Sequence, residues 1–483
     1  GKALQRAAGP APHVGIFLPP TVGGALTNIG LSLRGKVPVN LNYSASKEVV
    51  DACIAKAGIE AVVTSRKFEG KLGWGPSCRK IYLEDVGPSI GPVKKALTAA
   101  GLLVTPYFVL ERTAFKAARG SLDRLATIMF TSGSTGVPKG VMLSHANIHA
   151  NIAAAAQVLP LGPGDVMIGV LPFFHSFGIT ATMWLPPCLG MGAAYHYSPL
   201  DSKRVGELCA EFGGTAIVGT PTFLTAWMRR VEPEKFKTLR YVVAGAEKLR
   251  DEVAKAFEEK YGAVILEGYG ATELSPLASL NIPDIEWPGI KQTGTKRGTV
   301  GQPVPGVVMK VVDPDSGKEL AADSPGLLLV KGLNVMQGYL GDEKKTAEVI
   351  KDGWYVTGDI ARIDEDGFVT LTDRLSRFSK IGGEMVPHIR VEEKLHELLD
   401  LAEQTFVVAA VPDEKRGERL VVLHKDGPDL DALLPKLQAS DLPKLWLPDK
   451  ASFHKVAEFP LLGSGKLDFQ KLKLEARRLE GLA

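Results

Sequence analysis

Residues 131–140, TSGSTGVPKG, gather more anion-directed groups than any other stretch of the chain. Gly133 and Gly136 allow successive backbone N–H groups to converge on one point, Thr131, Ser132, Ser134 and Thr135 add hydroxyl donors, and Lys139 adds a positive charge. That is the chemistry of a phosphate cradle. No Lys-Ser or Lys-Thr pair closes it, so it is not the G-x-x-x-x-G-K-S/T loop of the P-loop nucleotidases. A flexible Ser/Gly linker is the plain alternative, but linkers are seldom followed at once by VPKGVMLSH and an Ala-rich helix. Other polar residues gain weight only from their blocks: Tyr269, Thr272 and Glu273 in EGYGATE, Asp359 in WYVTGD, Lys466 in LLGSGK and His175 in LPFFHSFG. Alone, Tyr269 would be a core aromatic, Asp359 a turn residue, Lys466 a solvated lysine and His175 a satisfied core histidine.

These residues need a scaffold, and the hydrophobic pattern supplies one. Short apolar runs alternate with helical ones in VGIFLPP, GGALTNIGLSL, KVPVNLN, EVVDACIAKAG and AVVTS, the rhythm of a parallel α/β sheet. A second set follows: AIVGTP before a helix near 223–231, YVVAGA before a helix over 249–261, then VILEGYG. From about Gly298, Asp-Gly and Ser-Gly dipeptides mark hairpins and predict a β-rich subdomain over about 298–373. After Arg374 a compact segment has VEEKLHELL as a helix and FVVAAVP and RLVVLHK as strands. The expected fold class is therefore α/β: a large N-terminal domain, 1–374, and a small α+β C-terminal domain, 375–483. Residues 166–200 contain no Asp, Glu, Lys or Arg, long enough to suggest a membrane span of ~20 residues. Pro172, Pro186, Pro187, His175 and Ser176 argue instead for a buried strand, a functional loop and a buried helix.

Composition narrows the function classes. With 45% hydrophobic and 23% charged residues, the 483-residue chain is neither disordered nor fibrous. A net charge of +3 is too small for a nucleic-acid-binding face, so no nucleic-acid partner is expected. The 52 glycines are an excess of the residue needed where backbone closely approaches a ligand. Cys53, Cys78, Cys188 and Cys209 show neither C-x-x-C pairing nor zinc spacing, and are expected to be reduced, buried thiols in a cytoplasmic protein.

Five blocks in order, TSGSTGVPKG, EGYGATE, WYVTGD, DRLSRFSKIGGE and LLGSGK, make the chain resemble the adenylate-forming superfamily of acyl-CoA synthetases, luciferases and peptide-synthetase adenylation domains. More narrowly, TSRKF, IYLED, LPFFHSFG, GTPTFL, LRYVVAGAEKL, KIGGEMV and FPLLGSGKLDF resemble the acyl-[acyl-carrier-protein] synthetase half of the bifunctional 2-acylglycerophosphoethanolamine acyltransferases. The resemblance implies activation of a fatty acid by ATP and Mg2+ as an acyl-adenylate, followed by transfer to the phosphopantetheine thiol of acyl carrier protein, with coenzyme A as the alternative acceptor. Thr131, Ser132, Gly133, Ser134, Thr135, Gly136 and Lys139 would hold phosphates. Gly245, Ala246 and Glu247 would line the adenine edge, and Gly268, Tyr269 and Gly270 would present the tyrosine ring to the base. Thr272 would donate to the α-phosphate and Glu273 would hold Mg2+, which takes one or two carboxylates plus phosphate oxygens. Asp359 and Arg374 would bind the ribose, and Lys466 would bridge the attacking carboxylate and the α-phosphate.

For the acyl group, the resemblance implies a pocket of His175, Phe177, Gly219, Thr220, Phe223 and Ala244, whose small members would leave room for a chain. Ser376 would be the hinge of the small domain, standing where relatives usually have Asp or Lys. Gly382 and Gly383 would line the pantetheine path. A basic rim of Lys380, Arg390, Lys394, Lys415, Arg416 and Arg419 would steer the acidic carrier protein. The narrower match also implies an acyltransferase domain upstream of Gly1 and peripheral association with the inner face of the cytoplasmic membrane. Two other readings compete. His196 and Asp201 have the H-x-x-x-x-D spacing of membrane acyltransferases, against which Pro199 should break the local geometry. A non-catalytic adenylate- or carrier-binding module would be signalled by loss of Lys466 or Glu273, and both are present.

Overall fold

The computed structural model describes the chain except residues 114, 116–119, 132–137, 375–376, 383, 402–403, 461–466 and 483, and except the side chains of Lys94, Ile290, Asp373 and Met385. It is an α/β structure with two compact units. Gly1–Lys310, Leu329–Val356 and Asp364–Thr370 form the first; Val311–Leu328, Thr357–Ile363 and Leu371–Ala483 form the second.

The first unit is built on two mainly parallel sheets. In one, Val37–Asn40, His13–Ile16, Ala61–Thr64 and Arg79–Tyr82 lie side by side in that order, all parallel. In the other, Gly192–Tyr195, Val166–Gly169, Ala216–Gly219, Tyr241–Ala244 and Ile265–Gly270 run parallel, and Leu277–Leu280 and Gln302–Pro303 extend the sheet antiparallel. Ala216–Gly219 is buried at all four positions, as a central strand covered on both faces must be. Helices Ser202–Phe212, Pro221–Arg230 and Asp251–Tyr261 bury Val205, Leu208, Trp227 and Phe257 against this sheet.

The charge-free stretch resolves as strand Val166–Gly169, a turn, the π-helix Gly178–Trp184, helix Leu185–Leu189 and a further strand, Gly192–Tyr195. Gly178 is required here because a Cβ would lie 2.1 Å from the Pro172 carbonyl oxygen. Among the described residues, no helix is long and apolar enough to cross a membrane. The expectation of four buried thiols needs correction: Cys53 and Cys209 are buried, but Cys78 is half-buried and Cys188, in the short helix Leu185–Leu189, is exposed.

In the second unit, Phe406–Asp413 and Gly417–His424 form a long antiparallel pair. Its alternation fills two cores. Phe406, Val408, Leu420 and Val422 pack with Val391, Leu395, Leu433 and Leu437 of helices His388–Leu398 and Leu430–Gln438, while Val407, Ala409, Val421 and Leu423 pack with Leu472 and Ala476 of helix Phe469–Leu479.

Candidate active site

Most of the first unit's candidates stand where one sheet ends. The segments following Val166–Gly169, Ala216–Gly219, Tyr241–Ala244 and Ile265–Gly270 carry His175 and Phe177, Thr220 and Phe223, Gly245 to Glu247, and Thr272 and Glu273. Those four strands are consecutive neighbours in the sheet, so their outgoing segments share its carboxyl end, the usual ligand crevice of open α/β sheets. Contacts knit the segments together. The Phe177 ring lies 3.6 Å from where a Gly245 Cβ would be, and the Ser176 and Thr272 hydroxyl oxygens are 3.4 Å apart. That separation exceeds the 2.7–2.8 Å usual for paired hydroxyls, so Thr272 is placed but not locked.

The phosphate-cradle block begins and ends on two paired strands. Leu125–Thr131 pairs antiparallel with Lys139–Ser144, which sets Thr131 directly opposite Lys139. Ser132, Gly133, Ser134, Thr135 and Gly136 lie outside the described residues. Gly338–Tyr339 pairs with the second strand, and the Lys139 ammonium sits over the Tyr339 ring, 5.3 Å from its centroid. The Tyr339 hydroxyl donates to Glu273 Oε1 at 2.8 Å. Burial first, and the nearby Glu273 carboxylate second, raise the Tyr339 pKa above the usual phenol range, so the hydroxyl keeps its proton. One ring thus carries a cation on its face and a carboxylate on its hydroxyl.

The turn bearing Glu273 is fastened from several sides. Met336 N–H donates to the Glu273 carbonyl, and Asn151 donates to the carbonyls of Leu274 and Leu277 while accepting from Leu277 N–H. Thr180 donates to the Ser275 carbonyl. Gly270 is obligatory, since a Cβ would sit 2.0 Å from the Pro276 carbonyl oxygen. No group of three or more His, Cys, Asp or Glu among the described residues could hold a metal ion by itself. Glu273 as a single hard oxygen donor fits Mg2+ delivered with phosphate oxygens that complete its shell.

Several sequence readings change in three dimensions. His175 is exposed, which removes the core-histidine reading. Tyr269 is only 8% exposed, leaving little uncovered ring face for a base. The room expected at Gly219 is taken: a Cβ there would meet the Trp227 indole at 2.9 Å, and Ala244 is fully buried in the same core. Phe223 packs partly against that core, and Thr220 caps helix Pro221–Arg230. Glu247 holds the same helix start, accepting from the Thr222 N–H at 3.2 Å and its hydroxyl at 2.6 Å. Ala246, exposed beside it, has φ +69°, a costly conformation for a residue with a Cβ. The local break expected from Pro199 does not occur either. His196 Nε2 lies 3.1 Å from Asp201 Oδ2, while Asp201 also caps helix Ser202–Phe212.

In the second unit, Asp359 is nearly buried and Arg374 Nε pairs with its Oδ1 at 3.1 Å. Gly358, within strand Trp354–Ile363, has φ +75°, a conformation that favours glycine just before the carboxylate. Gly382 adopts φ +57°, so its glycine is required by the bend itself. Ser376, Gly383 and Lys466 lie outside the described residues. The basic rim is largely neutralised within its own unit: Lys380 pairs with Asp315, Arg390 with Glu393 and Asp441, Lys394 with Glu397 and Asp441, and Arg419 with Glu480 and Asp413.

Sequence reasoning missed Tyr339, Asn151 and Glu267. Tyr339 has no local signature. Asn147 and Asn151, four apart in an Ala-rich helix, were a readable sign of a buried polar stripe. Glu267, at the sheet's carboxyl end, accepts from Leu249 N–H at 3.1 Å, and burial pushes its carboxyl up to about 7.

Comparison with known proteins gives this arrangement its lineage. A family model described as AMP-binding enzyme matches residues 1–340. The long-chain-fatty-acid–CoA ligase of Salmonella typhimurium is 28% identical over 492 residues, covering 96% of this chain and 85% of that protein. Its Bacillus subtilis counterpart is 33% identical over 356 residues, covering 71% of this chain and 60% of that protein. The crystal structure of ATP-bound MatB from Rhodopseudomonas palustris has a TM-score of 0.74 at 25% identity, covering 98% of this chain and 90% of that one. A match over residues 1–340, carrying both the Thr131–Lys139 strand pair and the Glu273 turn, establishes that the chain belongs to the AMP-binding enzyme family, within the adenylate-forming superfamily.

Proposed function

We propose that the chain condenses a fatty acid with ATP to an acyl-adenylate and pyrophosphate, and then passes the acyl group to the thiol of coenzyme A. The observation that carries this reading is the Lys139–Tyr339–Glu273 arrangement at the end of the Leu125–Thr131 and Lys139–Ser144 strand pair. A carboxylate is already ionised at neutral pH, so its attack on the α-phosphate needs no general base. What it needs is positive charge and oriented donors where anions meet, and a metal-ligating carboxylate to organise the triphosphate. Lys139 and Thr131 supply the first, Glu273 the second and Thr272 a donor to the α-phosphate. In this reading Asp359 and Arg374 hold the ribose, Lys466 completes adenylation, and domain 375–483 turns about Ser376 to bring Gly382 and Gly383 to the pantetheine arm.

The acyl end is read as bounded by His175, Phe177, Thr220 and Phe223. At about 0.8 kcal/mol per buried CH2, an apolar wall favours long chains. Coenzyme A is chosen over carrier protein on two grounds. The relatives' names specify it, and most of the basic rim that would steer an acidic protein is engaged by acids of its own unit. Lys415 and Arg416 keep carrier protein as the second reading. In this reading the protein works in the cytoplasm.

The test incubates the protein with ATP, Mg2+, labelled pyrophosphate and fatty acids of graded length. Label should enter ATP, and adding coenzyme A should yield thioester faster than adding holo-carrier protein. Folded protein that exchanges no label with any acid overturns the adenylate reading; thioester on carrier protein alone overturns the choice of acceptor.

A further inference from the structure

The face presented by residues 92–113 is unlike the rest of the first unit. Helix Pro92–Val104, PVKKALTAAGLLV, buries none of its described side chains, and helix Tyr107–Thr113 also has no buried residue. Val93, Leu97, Leu103 and Val104 are 71%, 69%, 87% and 80% exposed, and Tyr107 and Phe108 are 74% and 60% exposed. Val93, Leu97, Ala100 and Val104 recur at spacings of four, three and four, so they form one stripe, with Leu103 beside it and Lys95 and Thr98 round the other side. Scattered apolar residues on a surface need no explanation, but an apolar stripe on an otherwise unpacked helix does.

Charge selects the occupant. Across 91–113 the sequence carries Lys94, Lys95 and Arg112 against one acid, Glu111, although the whole chain is nearly balanced. An apolar stripe with a basic flank and aromatic residues at one end is the composition of a helix lying in the headgroup layer of an anionic bilayer. Its 13 residues give about 20 Å of helix, too short for a hydrocarbon core of about 30 Å, so it lies on the surface and does not cross. We propose that the face formed by Pro92–Val104 and Tyr107–Thr113 is a docking surface for an anionic lipid membrane, with the apolar stripe inserted and the basic residues at the phosphates. This goes beyond the acyl-adenylate reading and does not depend on it.

The experiment is sedimentation of the full chain with vesicles of phosphatidylcholine alone or of a three-to-one phosphatidylcholine and phosphatidylglycerol mixture, at low and high salt. The chain should pellet with the anionic vesicles, and high salt should release it. Lys94→Ala with Lys95→Ala should weaken partitioning about five-fold for each charge removed, and Leu97→Glu with Val104→Glu should abolish it. Both variants should keep the wild-type circular dichroism spectrum and pyrophosphate exchange with a short soluble acid. The proposal fails if the wild-type chain stays in the supernatant or if the variants pellet as it does. It fails too if the face instead pairs two copies of the chain, seen as a dimer that Leu97→Glu with Val104→Glu dissolves while the wild-type chain ignores vesicles. None of the deciding measurements reads catalysis, so failure here leaves the proposed reaction standing, and failure of the reaction leaves this surface standing.

Discussion

Glu273 has one carboxylate oxygen held by the Tyr339 hydroxyl at 2.8 Å, and that contact separates two roles. Glu273→Gln keeps the shape and removes the charge a Mg2+ ion needs. Pyrophosphate exchange should fall at least about 100-fold, the cost of one preorganised electrostatic group, and the Mg2+ concentration at half-maximal rate should rise. Tyr339→Phe removes only the donor and should lower exchange about ten-fold with little change in that concentration. Glu267 gives a different measurement. Burial raises its carboxyl from 4.5 to about 7 in the folded chain, so between those values the folded state binds the extra proton. The stability it contributes is fully present below about pH 4.5 and is lost as pH rises through about 7. Denaturant midpoints should therefore carry a downward component across that window that Glu267→Gln removes; an unchanged pH slope in the variant would exclude the buried acid as its source.

At the scale of elements, the Glu273 turn owes its position to helix His145–Val158. Ser144 and Asn147 start that helix with reciprocal side-chain and backbone hydrogen bonds. One turn later Asn151 makes three hydrogen bonds to Leu274 and Leu277. Asn151→Ala leaves buried backbone groups unpaired, so chemical denaturation should show a loss of roughly 3 kcal/mol, and pyrophosphate exchange should drop with it. Stability reduced without any change in exchange would mean that the turn does not position Glu273. The alternation of apolar and helical runs made the parallel strands legible, because strands covered on both faces must be continuously apolar. It did not reveal Gly192–Tyr195, whose GAAY has little β-branched character, nor the filling of the Gly219 space by Trp227, eight residues away.

For the whole molecule, the proposed reaction has two halves that one substitution should separate. Lys466→Ala should slow pyrophosphate exchange by 100-fold or more, the scale of losing one electrostatic group, yet leave transfer from a supplied acyl-adenylate to coenzyme A near the wild-type rate. Equal losses in both halves would remove its assignment to adenylation. The amino-acid sequence by itself determined the α/β class, the family and the order of the blocks, because backbone turns, hydroxyl donors and hydrophobic periodicity are written in neighbouring residues. Tertiary structure alone decided that Tyr339 serves Glu273, that His175 faces solvent, that His196 meets Asp201, that acids neutralise most of the basic rim, and that helix Pro92–Val104 buries nothing. Tyr339 meets Glu273 from 66 residues away, where spacing along the sequence carries no distance, and even the local His196–Asp201 pair, legible as a spacing, needed the backbone path past Pro199 to bring its atoms together.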